Sequence, residues 1–246
     1  MNTIQVSKKL IPAAVVLLAA VATVLLITNR LTSAAPTNSA TLTAVQDSYT
    51  DLNLASANFD GGLLNAANSS GGPEDPDLTT KYIFVEFDLS GVTFSINSAT
   101  LELSTLTCGG TLFSDDVDVV VYGVDNSVNW SESALTWNNQ PAPTTGALIG
   151  LDAGVIPAGT AQTVRWTDYA KGALSAWLES QRAANDGSAT LALAIDNSGN
   201  PGLADVFFED SEGSGAVANC ADAGASPTLT VSETATYFVY LPAVLK

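Results

Sequence analysis

After residue 40 this chain is written in period two, and that alternation limits what it can become. Lys81 to Leu89 is the clearest run: Ile83, Val85, Phe87 and Leu89 fall on one face and Tyr82, Phe84, Glu86 and Asp88 on the other. One face of such a strand must enter a core. The other carries two aromatic rings, so it is either covered by a loop or exposed as a binding surface. Similar short runs, separated by Gly, Pro, Asn and Asp, predict strands at Thr41–Tyr49, Leu63–Ala67, Ser98–Leu106, Val117–Val124, Gln162–Thr167, Ala189–Asp196, Asp205–Glu209 and Thr228–Ser232. Val117–Val124 is apolar on both faces apart from Asp118, the pattern of a central strand.

One segment changes period. Ala170, Ala173, Leu174, Trp177 and Leu178 make an i, i+3, i+4 stripe, with Thr167 or Asp168 available as a cap and Asn185-Asp186-Gly187 as a stop, so a single helix is expected there. Eight or nine strands, one crossover helix and no βαβ rhythm predict an all-β fold, a two-sheet jelly-roll β-sandwich with one short helix. Their even spread favours one domain over residues 41–232, between an N-terminal segment, 1–40, and a tail, 233–246.

The N-terminal segment predicts export. Lys8 and Lys9 precede Leu10 to Thr28, a run without charge, and the small, polar residues Thr32 to Ala40 come after it. This is the layout of a signal peptide, with Thr32-Ser33-Ala34 or Asn38-Ser39-Ala40 as cleavage zones. The run also approaches the ~20 residues that span a bilayer, so a retained anchor and membrane tether through residues 10–28 stays open. Either way the charge distribution places the chain after Arg30 outside the cell, an extracellular or cell-surface location.

Charge and composition exclude several functions. The formal net charge is −17, and Lys8, Lys9 and Arg30 all precede the first acidic residue, Asp47, which leaves the exported part near −20. Nucleic acid and anionic membrane surfaces are excluded as partners on that balance. There is no histidine, hence no Ser-His-Asp arrangement and no imidazole metal ligand. Neighbouring carboxylates at Asp115, Asp116 and Asp118, and at Glu209, Asp210 and Glu212, are what so acidic a chain produces on solvated strand ends. No G-x-S-x-G elbow, P-loop or dinucleotide turn is present, so the chain reads as no enzyme and requires no cofactor.

Val128 to Pro143 holds two of the four tryptophans, Trp130 and Trp137, turns through Asn138, Asn139 and Pro141, and has too few apolar positions for a helix. It reads as a long ordered loop whose rings plug the sandwich. Its W-x-E-S-x-L-T-W-N-N-x-P pattern resembles the central motif of the DNRLRE domains, exported jelly-roll modules grouped with carbohydrate-binding module family 96 and related to the disaggregatase repeat. Weaker similarity extends from about Leu42 to Ser232, and N-F-D-G-G, ending at Gly62, resembles the family's N-Y-G turn with Phe59 in place of Tyr. The resemblance implies a non-catalytic module that binds polysaccharide or cell-surface glycan. Trp130, among Asn129, Ser131 and Glu132, is the candidate platform for a sugar ring, with Tyr122 and Tyr82 behind it; Trp137 and Trp177 read as core.

Two further expectations concern crosslinks. Cys108 and Cys220 are the only cysteines, and in an oxidising compartment they read as one disulfide; their separation of 112 positions makes closure worth ~4–5 kcal/mol on the chain-entropy model. A structural Ca²⁺ is the second. Asp47, Asp51, Asp60, Glu74, Asp75 and Asp77 lie in or beside turn-rich segments, and Asp47 shares strand parity with Val45 and Tyr49, which points it inward, where a carboxylate needs hydrogen bonds or a cation. Asp47 and Asp60 are the candidate ligands.

The tail, Tyr237 to Lys246, reads Y-F-V-Y-L-P-A-V-L-K and resembles the Y-L-P-x-V-L-basic ending of exported proteins from filamentous green non-sulfur bacteria, where it looks like a sorting signal. It could equally be a last edge strand, or a strand donated to a neighbour's open sheet edge. That keeps an alternative function open, a structural cell-surface or filament subunit that self-assembles through its terminal strand.

Overall fold

A computed structural model describes residues 38–61, 63–69, 76–108, 117–124, 129–142, 156, 162–167, 173–184, 187–196, 203–212, 220–221 and 225–233. The N-terminal apolar run, Glu74, Asp75, Asp115, Asp116, the helix cap at Asp168, Asn185-Asp186 and the Tyr237–Lys246 tail all lie outside the described residues. No helix among the described residues is long and apolar enough to cross a membrane.

Among the described residues the fold is all-β with one helix. The strands are β1 (Ser39–Asp51), β2 (Leu64–Asn68), β3 (Lys81–Asp88), β4 (Ser98–Ser104), β5 (Thr107–Cys108), β6 (Asp118–Gly123), β7 (Thr163–Thr167), β8 (Ser188–Asp196), β9 (Ala204–Phe208), β10 (Cys220–Ala221) and β11 (Thr228–Ser232), with helix α1 (Ala173–Ala183) between β7 and β8. Nine strands form one antiparallel sheet along the path β6-β8-β3-β1-β11-β4-β7, with β2 bridging β3 and β9. Two sheets were expected; here β1 joins the two groups of strands into one hydrogen-bonded path. Its first half, Ser39–Thr43, pairs with β11, and from Ala44 onward it pairs with β3. The register shifts between Ala44 and Gln46, a bulge that turns Val45 out to solvent at 58% exposure and bends the strand from one half-sheet into the other.

The curled sheet buries the alternating faces against one another. Ile83, Val85 and Phe87 of β3, Leu191 and Leu193 of β8, Leu101 and Leu103 of β4, and Leu229 and Val231 of β11 share one core. Trp166 of β7 spans it, fully buried, with its indole N–H donating to the Val119 carbonyl of β6 at 3.0 Å. Leu174 and Leu178 fix α1 onto the same core, as the stripe requires, while Trp177 is only half-buried. Gly123, at the end of β6, lies beneath the Trp177 indole, and a Cβ there would overlap the ring. The turn after α1 reaches Gly187 at φ +71°, the left-handed conformation that glycine adopts without strain, and its carbonyl accepts from Leu89 N at 2.6 Å.

Two expectations are corrected. β6 lies at the end of the strand path, not at its centre; both its faces are apolar because a loop covers the outer one. Alternation with Leu101 and Leu103 predicts that Glu102 and Ser104 of β4 face solvent, yet Ser104 is buried. The chain also forms a ribbon that alternation does not reveal: β5 pairs with β10, and the register sets Cys220 directly across from Cys108.

Candidate functional site

The outer face of β3, β8 and β6 carries a second apolar cluster of Tyr82, Phe84, Tyr122, Val124, Ala192 and Ala194. The tryptophan loop closes it. Leu135 inserts at 1% exposure, Trp137 stacks on Tyr82 with centroids 5.0 Å apart and planes 21° apart, and Trp130 packs tilted against Phe84 at 6.1 Å. Burying Leu135 alone removes enough apolar surface to stabilise by ~1.5–3 kcal/mol. Alternation therefore places two aromatics on this face, and the loop is what covers them.

Polar bonds then fix the loop's course. Gln46 of β1 donates to Glu86 Oε2 at 2.5 Å and to the Trp130 carbonyl at 3.3 Å, while its Oε1 accepts from Glu132 N at 3.4 Å. Asn58 donates to the carbonyls of Glu132 (2.6 Å) and Leu135 (2.8 Å), and Asn138 N donates to the Ala55 carbonyl at 3.1 Å. Thr50 Oγ1 donates to Gln140 Oε1. Glu132–Ala134 forms a single 3₁₀ turn within this frame. The preceding connection is itself ordered by Phe59, which stacks on Tyr49 at 4.3 Å, and by Gly61 at φ +76°.

A surface hollow of about 350 Å³ opens in the loop, lined by Asn129, Trp130, Ser131, Ala134, Leu135 and Asn139. The Trp130 indole N–H is already committed to Thr190 Oγ1 at 3.1 Å, so the residue offers its ring, not its donor. Asn139 is likewise spent on the loop: its Oδ1 accepts from Thr136 N (2.7 Å) and its Nδ2 donates to the Ala134 carbonyl (2.9 Å). Asn129 and Ser131 are exposed at the rim. A half-buried indole held rigidly beside exposed amide and hydroxyl groups suits a hydroxylated ring better than a charged or purely apolar ligand.

Of the three residues expected to face a glycan, Trp130 reaches this hollow and two do not. Tyr82 is 3% and Tyr122 5% exposed, because the tryptophan loop lies over them; they form the floor under the loop. Burial pushes the Tyr82 hydroxyl up to about 12, with Tyr122 adding to the shift.

Of the six acidic residues considered as metal ligands, the four described ones, Asp47, Asp51, Asp60 and Asp77, also separate. Asp51 lies 3.9 Å from Lys81 and accepts from Asn53 N, and Asp77 closes its own turn through Thr79. Asp47 is buried, as its parity with Tyr49 requires, although the bulge breaks the parity with Val45. It stands with two residues not proposed as its partners, Glu132 and Glu212, one carboxylate oxygen of each lying within 4.8 Å of the others. Asp60 is within hydrogen-bonding reach of Glu132. Burial pushes Asp47 up to about 8; the Ser211 hydrogen bond opposes this, and Glu212, Glu132 and Asp210 reinforce it. Glu132 is pushed up to about 7 by desolvation, then by Glu212 and Asp60. Glu132 sits beside Trp130 in the motif, the one sequence signal that could have found it.

No curated protein gives a match to this chain. The profile of carbohydrate-binding module family 96 matches residues 38–214, from the start of β1 to just past β9, and takes in the whole tryptophan loop. β11, which pairs with both β1 and β4, lies beyond the matched stretch. With most of its length matched by that profile, the chain belongs to carbohydrate-binding module family 96.

Proposed function

We propose that this chain is an exported, non-catalytic module that holds a polysaccharide or cell-surface glycan in the hollow beside Trp130. The observation that carries the reading is the hollow itself: an indole with its N–H already satisfied, exposed Asn129 and Ser131 at its rim, and a loop fixed by Gln46, Asn58 and Asn138. Such a site is organised before ligand arrives, so little ordering entropy opposes binding. In a panel of neutral and uronate polysaccharides run by affinity electrophoresis, the protein is expected to be retarded by at least one polymer without shortening it. Trp130→Ala should weaken that retardation about two- to twelvefold, since stacking of this kind contributes ~0.5–1.5 kcal/mol. Equal retardation of the variant, or chain shortening by purified protein, contradicts the reading.

Export implies an oxidising compartment, and the β5–β10 register supports a Cys108–Cys220 disulfide. Directly opposed residues of an antiparallel pair have Cα atoms about 4.5–5.5 Å apart, within the span a disulfide takes. Denatured, unreduced protein from an oxidising compartment is expected to show no free thiol by titration; two thiols per chain would exclude the bond.

A further inference from the structure

We infer that Asp47, Glu132 and Glu212 form a Ca²⁺ site that ties the tryptophan loop to β1 and to the turn after β9. Three observations converge. The first is geometric: the three carboxylate oxygens lie within 4.8 Å of one another. One Ca²⁺ holds its oxygen ligands at ~2.3–2.6 Å, so ligands on opposite sides of it are about 5 Å apart, and side-chain shifts of a few tenths of an ångström at most bring all three onto a single ion. The second is an unmet bond. Asp47 is 1% exposed; its Oδ2 accepts from Ser211 N at 2.9 Å, yet its Oδ1 is buried with no partner, and so is Oε1 of Glu132. A buried carboxylate oxygen with no donor is a large unfavourable term that a cation removes.

The third is the absence of a local counter-charge among the described residues. Among the described residues Lys81 lies by Asp51, Arg165 by Glu102 and Arg182 by Glu179, all away from the cluster. Asp60 adds a fourth acidic group beside Glu132. A donor set of carboxylates alone, in a chain without histidine, selects a hard divalent cation over zinc or copper.

The position gives the ion a structural task. Beyond Thr43, β11 no longer pairs with β1 in the described register, and that stretch of β1 is where Glu132 and Ser211 arrive. Glu132 opens the 3₁₀ turn two residues after Trp130, so an ion here fastens the hollow's own loop.

The test is calorimetric titration of Ca²⁺ into the full chain after EDTA treatment, with thermal melts in parallel. One ion per chain is expected, with a higher melting midpoint in Ca²⁺. Glu212→Gln, at an exposed position that leaves the fold intact, and Glu132→Gln should each weaken binding tenfold or more and shrink the Ca²⁺-dependent shift; Asp47→Asn should abolish it. No binding heat and an unchanged midpoint would overturn the inference. So would binding to Glu212→Gln and Glu132→Gln within twofold of the parent, because the ions would then sit elsewhere on the acidic surface. None of these readouts requires a glycan, so they stand whatever the ligand at Trp130.

Discussion

Phe84→Ala should lower the unfolding free energy by ~3–5 kcal/mol and release the tryptophan loop from the sheet. Phe84 is fully buried at the centre of the outer cluster, in register with Ser48 of β1 and Ala192 of β8, and Trp130 rests against it. Its own strand and the two beside it, β1 and β8, are held by ladder hydrogen bonds and cannot close over the space a phenyl ring leaves, so the cavity persists. Urea titration monitored by far-UV circular dichroism gives the stability change. Tryptophan emission should shift to the red in the folded variant as Trp130 loses its support. A loss under ~1 kcal/mol would mean that the loop does not pack as described.

Trp166→Ala should be comparably damaging, again ~3–5 kcal/mol, for a different reason. Trp166 crosses the main core from β7 to β6, tilts against Phe208 at 6.2 Å and satisfies the Val119 carbonyl. Trp166→Phe retains most of the apolar contact and leaves that carbonyl without its donor, which costs ~1–3 kcal/mol. The two substitutions together separate packing from the hydrogen bond. Because Trp166 lies in the core on the far side of β6 from the tryptophan loop, glycan retardation by the folded Trp166→Phe protein should stay within about twofold of the parent.

The range of each signal explains which features the sequence disclosed and which it withheld. Alternation is local, and it placed Ile83, Val85 and Phe87 in one layer and Tyr82 and Phe84 in another, as the two clusters have them. It names the face and not its cover, which is why the Tyr82 face stayed open between a covering loop and a binding surface and both Tyr82 and Tyr122 stood as glycan candidates; they lie beneath Leu135, Trp130 and Trp137. A bulge shifts parity by one residue without a local mark, so Val45 read as inward and is exposed. The carboxylate group combines Asp47, Glu132 and Glu212, brought together only by where β1, the loop and the turn after β9 meet. Only Asp47 announced itself, through a charge at an inward parity. The β5–β10 ribbon is two residues a side, too short for any period to show.

Hydrogen–deuterium exchange, with and without a retained polysaccharide, tests the location of binding most directly. Added protection is expected in peptides covering residues 129–142, with β4, β7 and β11 unchanged. Protection confined to those three strands, or none at 129–142 under saturating polymer, would contradict it.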